Sequence, residues 1–306
     1  GLAPAAQGSD GGGSIRIPSS VCGLFGIKPT RGRISKAPLV PDLFGLSIDG
    51  PLTRTVADAA LLLDVMTGNR DGDMYTVRPL PDGETFLGHA RREPGRLRIG
   101  RTKVNAVEGA EVHPDCVAAY EDASALLASL GHEVVDMPQP FTAGAVGAFE
   151  TLWYAMAMLT PVDPDQEDRL LPLTSYLRGR GKEVRAPDLI FAQAYLQFLV
   201  RGAWTILNEY DVVLTPTLAM PPAPVGWFDE VAPAENFERQ KRFTPFAAIY
   251  NITGQPAVNL PLYWTAGGLP IGVMLAGPMG GEGLLLSLSA QLETARPWKD
   301  RHPPLW

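Results

Sequence analysis

The sequence predicts an α/β protein built as one domain, on three observations. Leu97–Gly100 and Glu133–Asp136 read as short strands on either side of a helix that opens at Pro114 and stops at Gly131, a spacing suited to a crossover between parallel strands. A long helical stretch, about Asp188–Asn208, then leads into a buried apolar run, Asp211–Thr215, halted at Pro216. The 306 residues are 45% hydrophobic and 19% charged, the balance of a folded chain rather than a disordered or membrane-spanning one.

The elements follow in chain order. Glycines at 8, 11, 12, 13, 23, 26, 32, 45 and 50 punctuate short apolar pieces in the first 50 residues, and no strand is predicted ahead of residue 11. The first predicted helix is Val56–Thr67, capped by Thr55 with Asp58 three residues on, and closed by Gly68. Residues 69–95 are rich in turn formers. After the strand–helix–strand unit, Phe141–Leu159 is helical and largely apolar, while 160–187 is a Pro- and charge-punctuated excursion. The Pro-rich stretch 219–235 is expected to be irregular, and Asn236–Ile252 helical with a break near Pro245. Ala257–Leu262 and Ile271–Ala276 flank Gly267-Gly268 as a hairpin, and Glu282–Ala295 is the last helix.

Charge and residue usage exclude several function classes. With 26 Lys and Arg against 33 Asp and Glu the formal net charge is −7, against broad binding to nucleic acid or anionic membrane. No window approaches the roughly 18 apolar residues of a membrane helix. Cys22 and Cys116 stand far apart without a CxxC spacing, so a reducing, cytoplasmic setting is expected. His89, His113, His132 and His302 form no HExxH pattern; neither a metal nor another cofactor is expected. No signal-peptide pattern opens the chain, which starts at Gly1 without an initiator Met.

Chemistry concentrates in Gly8-Ser9-Asp10-Gly11-Gly12-Gly13-Ser14-Ile15-Arg16-Ile17-Pro18. Three consecutive glycines are costly in backbone entropy, so their presence needs a reason. A flexible linker is disfavoured because the flanking Ile15–Pro18 and Val21–Phe25 segments look core-bound. A phosphate cradle is weak: the spacing fits neither GxGxxG nor GxxxxGK[ST], and no predicted strand precedes it. An acyl-transfer loop fits better. Glycines let successive amide N–H groups converge without Cβ atoms in the way, and the next serine sets a hydroxyl beside that point.

The segment Gly8–Thr30, ending Gly26-Ile27-Lys28-Pro29-Thr30, resembles the signature of the amidase signature family. Gly50–Ala60, Asp211–Thr217, Asn251–Ala257 and Gly268–Gly272 match further blocks in the right order, so the likeness runs almost end to end. It implies a single large mixed β-sheet covered by helices on both sides, with 1–306 as part of one amidase domain and the nucleophile loop within 8–30. It also implies hydrolysis of a small-molecule carboxamide through an acyl-enzyme. By resemblance Ser14 is the nucleophile, and the amides of Gly11, Gly12 and Gly13 form the oxyanion hole. Gly11 stands where a non-glycine residue is common.

A serine hydroxyl needs a base at neutral pH. The resemblance assigns that role to an upstream lysine relayed through a second serine whose preceding peptide bond is cis. Neither precedes Ser14 here, and the first lysine, Lys28, lies inside the Lys-Pro-Thr block and reads as structural. The chain is therefore expected to be the C-terminal two-thirds of an amidase, truncated at its N-terminus and catalytically crippled in isolation.

Around the serine, Asp10 and Arg16 are expected to pair and hold the loop, with Ser9 bonding within the loop or toward Ser14. Cys22 reads as an inert buried thiol, raised in pKa by apolar neighbours. The Trp153–Leu159 cluster is read as core in preference to a substrate pocket. Glu150, Asp163 and Asp165 are read as solvated. A homodimer is compatible with the sequence but not required by it. Three alternatives stand beside the amidohydrolase: the glutamine-amidase subunit of a tRNA-dependent amidotransferase, a non-catalytic amidase-derived binding protein and, more weakly, a nucleotide-binding module.

Overall fold

The computed structural model describes residues 3–38, 41 and 43–303; Gly1, the expected point of truncation, lies outside them. Strand β1 (Ala5–Asp10) leads through the glycine loop into a short helix α1 (Arg16–Val21), then β2 (Phe25–Lys28), β3 (Ile48–Thr53), α2 (Val56–Met66) and α3 (Phe86–His89). Next come β4 (Arg98–Arg101), α4 (Pro114–Ser129), β5 (Glu133–Asp136), α5 (Ala143–Met156), α6 (Pro172–Glu183), α7 (Ala186–Leu207) and β6 (Val212–Pro216). The chain continues with α8 (Pro233–Phe243), α9 (Ile249–Thr253), β7 (Ala257–Trp264), β8 (Pro270–Ala276) and α10 (Glu282–Ala295).

The strands form one sheet in the order β1-β3-β2-β7-β8-β6-β4-β5. β4 runs parallel to β5, as the strand–helix–strand spacing predicts, and also to β6, while every other strand pairing is antiparallel. Alternation along the central strands explains why helices cover both faces. Ile271, Val273 and Leu275 of β8 join a core with α2, α4 and α10, whereas Met274 and Ala276 join a second core with α5, α7 and α9. Val212 and Leu214 of β6 divide from Val213 in the same way.

Two stretches depart from expectation. The first 50 residues supply three strands, not irregular chain. β1 is an edge strand whose Ala-Ala-Gln-Gly-Ser-Asp run is mostly exposed, so it carries no hydrophobic alternation to read. β2 is buried throughout and includes Lys28, whose ammonium is satisfied by the Gln255 and Pro29 carbonyls. The 160–187 excursion contains α6, opened by Pro172 at its first turn and tied down by Arg178, which donates to the Ala157 and Thr160 carbonyls. The Val56 helix keeps its expected cap: the Thr55 hydroxyl accepts the Asp58 N–H at 3.2 Å and donates to the Asp58 carboxylate at 2.7 Å.

Helix α1 rests directly on β7 and β8. A Cβ at Gly272 would sit 1.9 Å from Asn259 Oδ1 and 2.6 Å from Ser20 Oγ, so only glycine lets the helix come this close. Ser20 Oγ in turn accepts the Gly272 N–H at 3.0 Å. This seating fixes the loop that precedes α1.

Candidate active site

The loop is held from beneath by one buried carboxylate. Asp10, the last residue of β1, accepts the Gly13 N–H at 2.7 Å and the Ile15 N–H at 3.1 Å. It also accepts Arg16 Nη2 at 2.8 Å and Nε at 3.0 Å, a two-pronged pair in which neither side chain is exposed. Burial alone drives the Asp10 carboxyl upward, but the Arg16 charge and hydrogen bonds, with Lys28 and Asn251, hold it at about 2. Arg16 spends its remaining donors on the Ala247 carbonyl (2.8 Å), Met274 Sδ (3.3 Å) and Asn251 Oδ1 (2.7 Å). Lys28, fully buried nearby, has its pKa pushed well down, first by desolvation and then by the Arg16 charge. Its bonds run to backbone carbonyls, in keeping with a structural role.

Gly13 has φ +133°, and a Cβ there would meet Ile17 at 2.7 Å and Ala247 at 2.9 Å. The turn therefore needs glycine. Because its N–H points at Asp10, Gly13 is not available as an oxyanion donor in this conformation. The N–H groups of Gly11 and Gly12, by contrast, donate to no described residue. Ser14 follows as an exposed side chain whose hydroxyl has no hydrogen-bond partner among the described residues.

Ser9 makes no side-chain hydrogen bond to Ser14 or to the loop amides among the described residues. Its hydroxyl pairs with Ser47 Oγ at 2.7 Å, and Lys36 Nζ donates to the same Ser47 oxygen at 2.7 Å while lying 3.6 Å from Asp49 Oδ1. Cys22 departs from its expected burial: it follows α1 on the surface and is exposed, although partial desolvation still raises its thiol pKa.

Ser14, Gly12 and Ile17 line a half-open cavity of about 150 Å³. Phe141, Ala145, Phe149 and Trp153 wall one side from α5 and the turn before it, and Phe237, Ala248 and Ile249 the other. Trp153 is thus a pocket residue, where helical spacing alone favours core; its neighbours Leu152 and Tyr154 are the buried ones. The aromatic pair Phe149 and Trp153, four residues apart on one helix, was the available signal. Glu150 also departs from expectation. It is half-buried and bonded to Lys241, which lines the cavity and pairs with Glu238 as well; Asp163 and Asp165 are exposed, as expected. Desolvation would lower the Lys241 pKa, but the Glu150 and Glu238 carboxylates outweigh it and raise the value.

A helix-covered mixed sheet carrying a glycine–serine loop above a buried Asp–Arg pair defines the structural class. The sequence profile of the Amidase family matches residues 1–286, and the chain belongs to this amidase signature family. It is 38% identical over 304 residues to the AmiB2 protein of Mycobacterium tuberculosis, covering 99% of this chain and 64% of that protein. It is 33% identical over 334 residues to the 6-aminohexanoate-cyclic-dimer hydrolase of Paenarthrobacter ureafaciens, covering 99% and 65%. A solved structure of 6-aminohexanoate cyclic dimer hydrolase complexed with substrate superimposes with a TM-score of 0.89 at 31% identity, over 99% of this chain and 67% of that one. A glutamyl-tRNA(Gln) amidotransferase subunit from Thermotoga maritima gives 0.74 at 26% identity, over 96% and 63%. The chain therefore spans just under two-thirds of the length of the first two relatives. Among the described residues no helix is long and apolar enough to cross a membrane.

Proposed function

We propose that these residues form the nucleophile and acyl-binding part of a serine amidohydrolase. The observation that carries this reading is the position of Ser14. It is an exposed hydroxyl at an apolar cavity, on a loop locked from below by Asp10, Arg16 and Asn251, and neither it nor the adjacent N–H groups of Gly11 and Gly12 has a hydrogen-bond partner among the described residues.

In this mechanism Ser14 Oγ attacks the amide carbonyl carbon as its proton passes to a base. The carbonyl oxygen becomes an anion held by the Gly11 and Gly12 N–H groups, joined by that of Ser14. The C–N bond then breaks, the amine leaves with the proton, and water attacks the ester to release the acid and restore the hydroxyl. The base is a lysine relayed by a second serine, as family resemblance implies, in the part of the relatives' length that these residues do not span. No described residue bonds to Ser14 Oγ, so these residues alone leave it a weak nucleophile.

The test uses the complete gene product. A fluorophosphonate should label Ser14, and ammonia or amine should be released from a carboxamide panel; both should vanish in Ser14→Ala. Labelling or turnover that persists in Ser14→Ala would overturn the assignment.

A further inference from the structure

The cavity beside Ser14 has a specific shape and charge. Phe149 and Trp153 stack on each other with centroids 5.4 Å apart and ring planes at 24°, an aromatic wall along the cavity. That wall touches the loop itself: a Cβ at Gly11 would lie 3.0 Å from Trp153 Cζ3, and one at Gly12 would lie 3.4 Å from Phe149 Cζ. Gly11 thus lets the tryptophan sit close, and a side chain there would crowd the ring, which would have to give by a few tenths of an ångström. A group attached to a carbonyl whose oxygen sits at the Gly11 and Gly12 N–H groups would lie along these two rings. The opening holds about 150 Å³, the size of an apolar void that accepts one benzene ring.

Charge narrows the choice further. Lys241 is the one charged residue among the described lining, and Glu150 and Glu238 both hold it. The trio carries one positive and two negative charges, so among the described residues of the lining a substrate carboxylate would find no free cation and a net negative rim. Glutamine, with its α-carboxylate, suits this cavity poorly, although the glutamyl-tRNA(Gln) amidotransferase protein shares the fold.

Building on the amidohydrolase reading, we infer that Phe149 and Trp153 select an uncharged, planar aromatic acyl group of about one ring, packed against this pair while bonded to Ser14. The acyl side is assigned because that part of the substrate stays bonded to Ser14 through both halves of the reaction.

The experiment compares benzamide, hexanamide and glutamine in the complete gene product, with kcat/KM for each, in the wild type and in Trp153→Leu. Benzamide should be preferred, glutamine should be the poorest, and Trp153→Leu should cut the benzamide-to-hexanamide ratio roughly tenfold, mainly through KM. A second readout needs no turnover: benzamide should bind Ser14→Ala and bind more weakly to Ser14→Ala with Trp153→Leu, with thermal melting confirming that both are folded. Equal use of the three amides, a ratio untouched by Trp153→Leu, or unchanged benzamide binding in the double variant would overturn the pocket assignment alone. Amide turnover that survives Ser14→Ala would overturn the underlying reading instead.

Discussion

Asn251 and Asp10 are joined across 241 positions of sequence: Asn251 Nδ2 donates to the Asp10 carbonyl at 2.6 Å and to its carboxylate at 3.0 Å. The same amide nitrogen lies 2.9 Å from the Leu46 carbonyl, and Asn251 Oδ1 accepts Arg16 Nη2 at 2.7 Å. Helix α9 therefore buttresses the end of β1 and the start of α1 together. The residue is fully buried, so water cannot replace any of these bonds.

Asn251→Ala should for this reason be costly. It strands the Asp10 and Leu46 carbonyls and one Arg16 donor in a dry interior, a loss of about 2–4 kcal/mol. Urea unfolding measures it. A loss under about 0.5 kcal/mol, the range of an ordinary surface change, would mean the network does not hold the loop.

Acid stability should report on Asp10. Its carboxyl sits at about 2 in the fold against an ordinary 3.8. A depressed carboxyl contributes stability that is complete above its unfolded pKa and disappears as pH falls through the folded one. The window is therefore about pH 4 down to 2, and the contribution roughly 2 kcal/mol. Asp10→Asn should lower stability at neutral pH by about 3 kcal/mol, because Arg16 is left buried and unpaired, and should flatten the decline below about pH 4. Urea midpoints taken across that window decide it: a slope equal to wild type would place the acid sensitivity elsewhere.

How much of this was legible in the sequence depends on which force sets each element. The Val56 helix, the strand–helix–strand unit and the β7–β8 hairpin carry their own periodicity and caps, and they stand where those signals place them. β1 and β2 do not, because β1 is an edge strand with little buried surface and β2 hides a lysine among its apolar residues. At the site, the glycine–serine run announces itself, and the pairing of Asp10 with Arg16 follows from residues six apart. That Gly13 spends its N–H on Asp10, or that Trp153 lies over Gly11, depends on loop conformation and on a helix residue 142 positions away. No local pattern encodes either.

Ser14 offers a prediction of the opposite kind. It is exposed and makes no side-chain hydrogen bond to a described residue, so Ser14→Ala should change stability by no more than about 0.5 kcal/mol while removing fluorophosphonate labelling. In wild type, residues 1–306 should label far more slowly than an activated serine hydrolase, because no described residue bonds to the hydroxyl and could deprotonate it. Labelling as fast as such a hydrolase would show that these residues already contain the base.

Gly13→Ala separates loop geometry from nucleophile chemistry. The substitution keeps the Gly13 N–H and leaves Ser14 in place, but it demands a side chain at φ +133° with Ile17 Cδ1 at 2.7 Å and Ala247 Cβ at 2.9 Å. Ile17 has a flexible end and can yield; Ala247 cannot, because its carbonyl is bonded to Arg16. The loop must therefore twist. That turns the Gly11 and Gly12 N–H groups away from the point where the anion forms, and losing one such donor slows turnover by about 100- to 1,000-fold. The complete gene product carrying Gly13→Ala should accordingly lose kcat by a factor in that range, with KM changing much less and stability falling by about 1–3 kcal/mol. An active variant with normal kcat would show that the Gly11–Gly13 conformation does not govern the chemistry at Ser14.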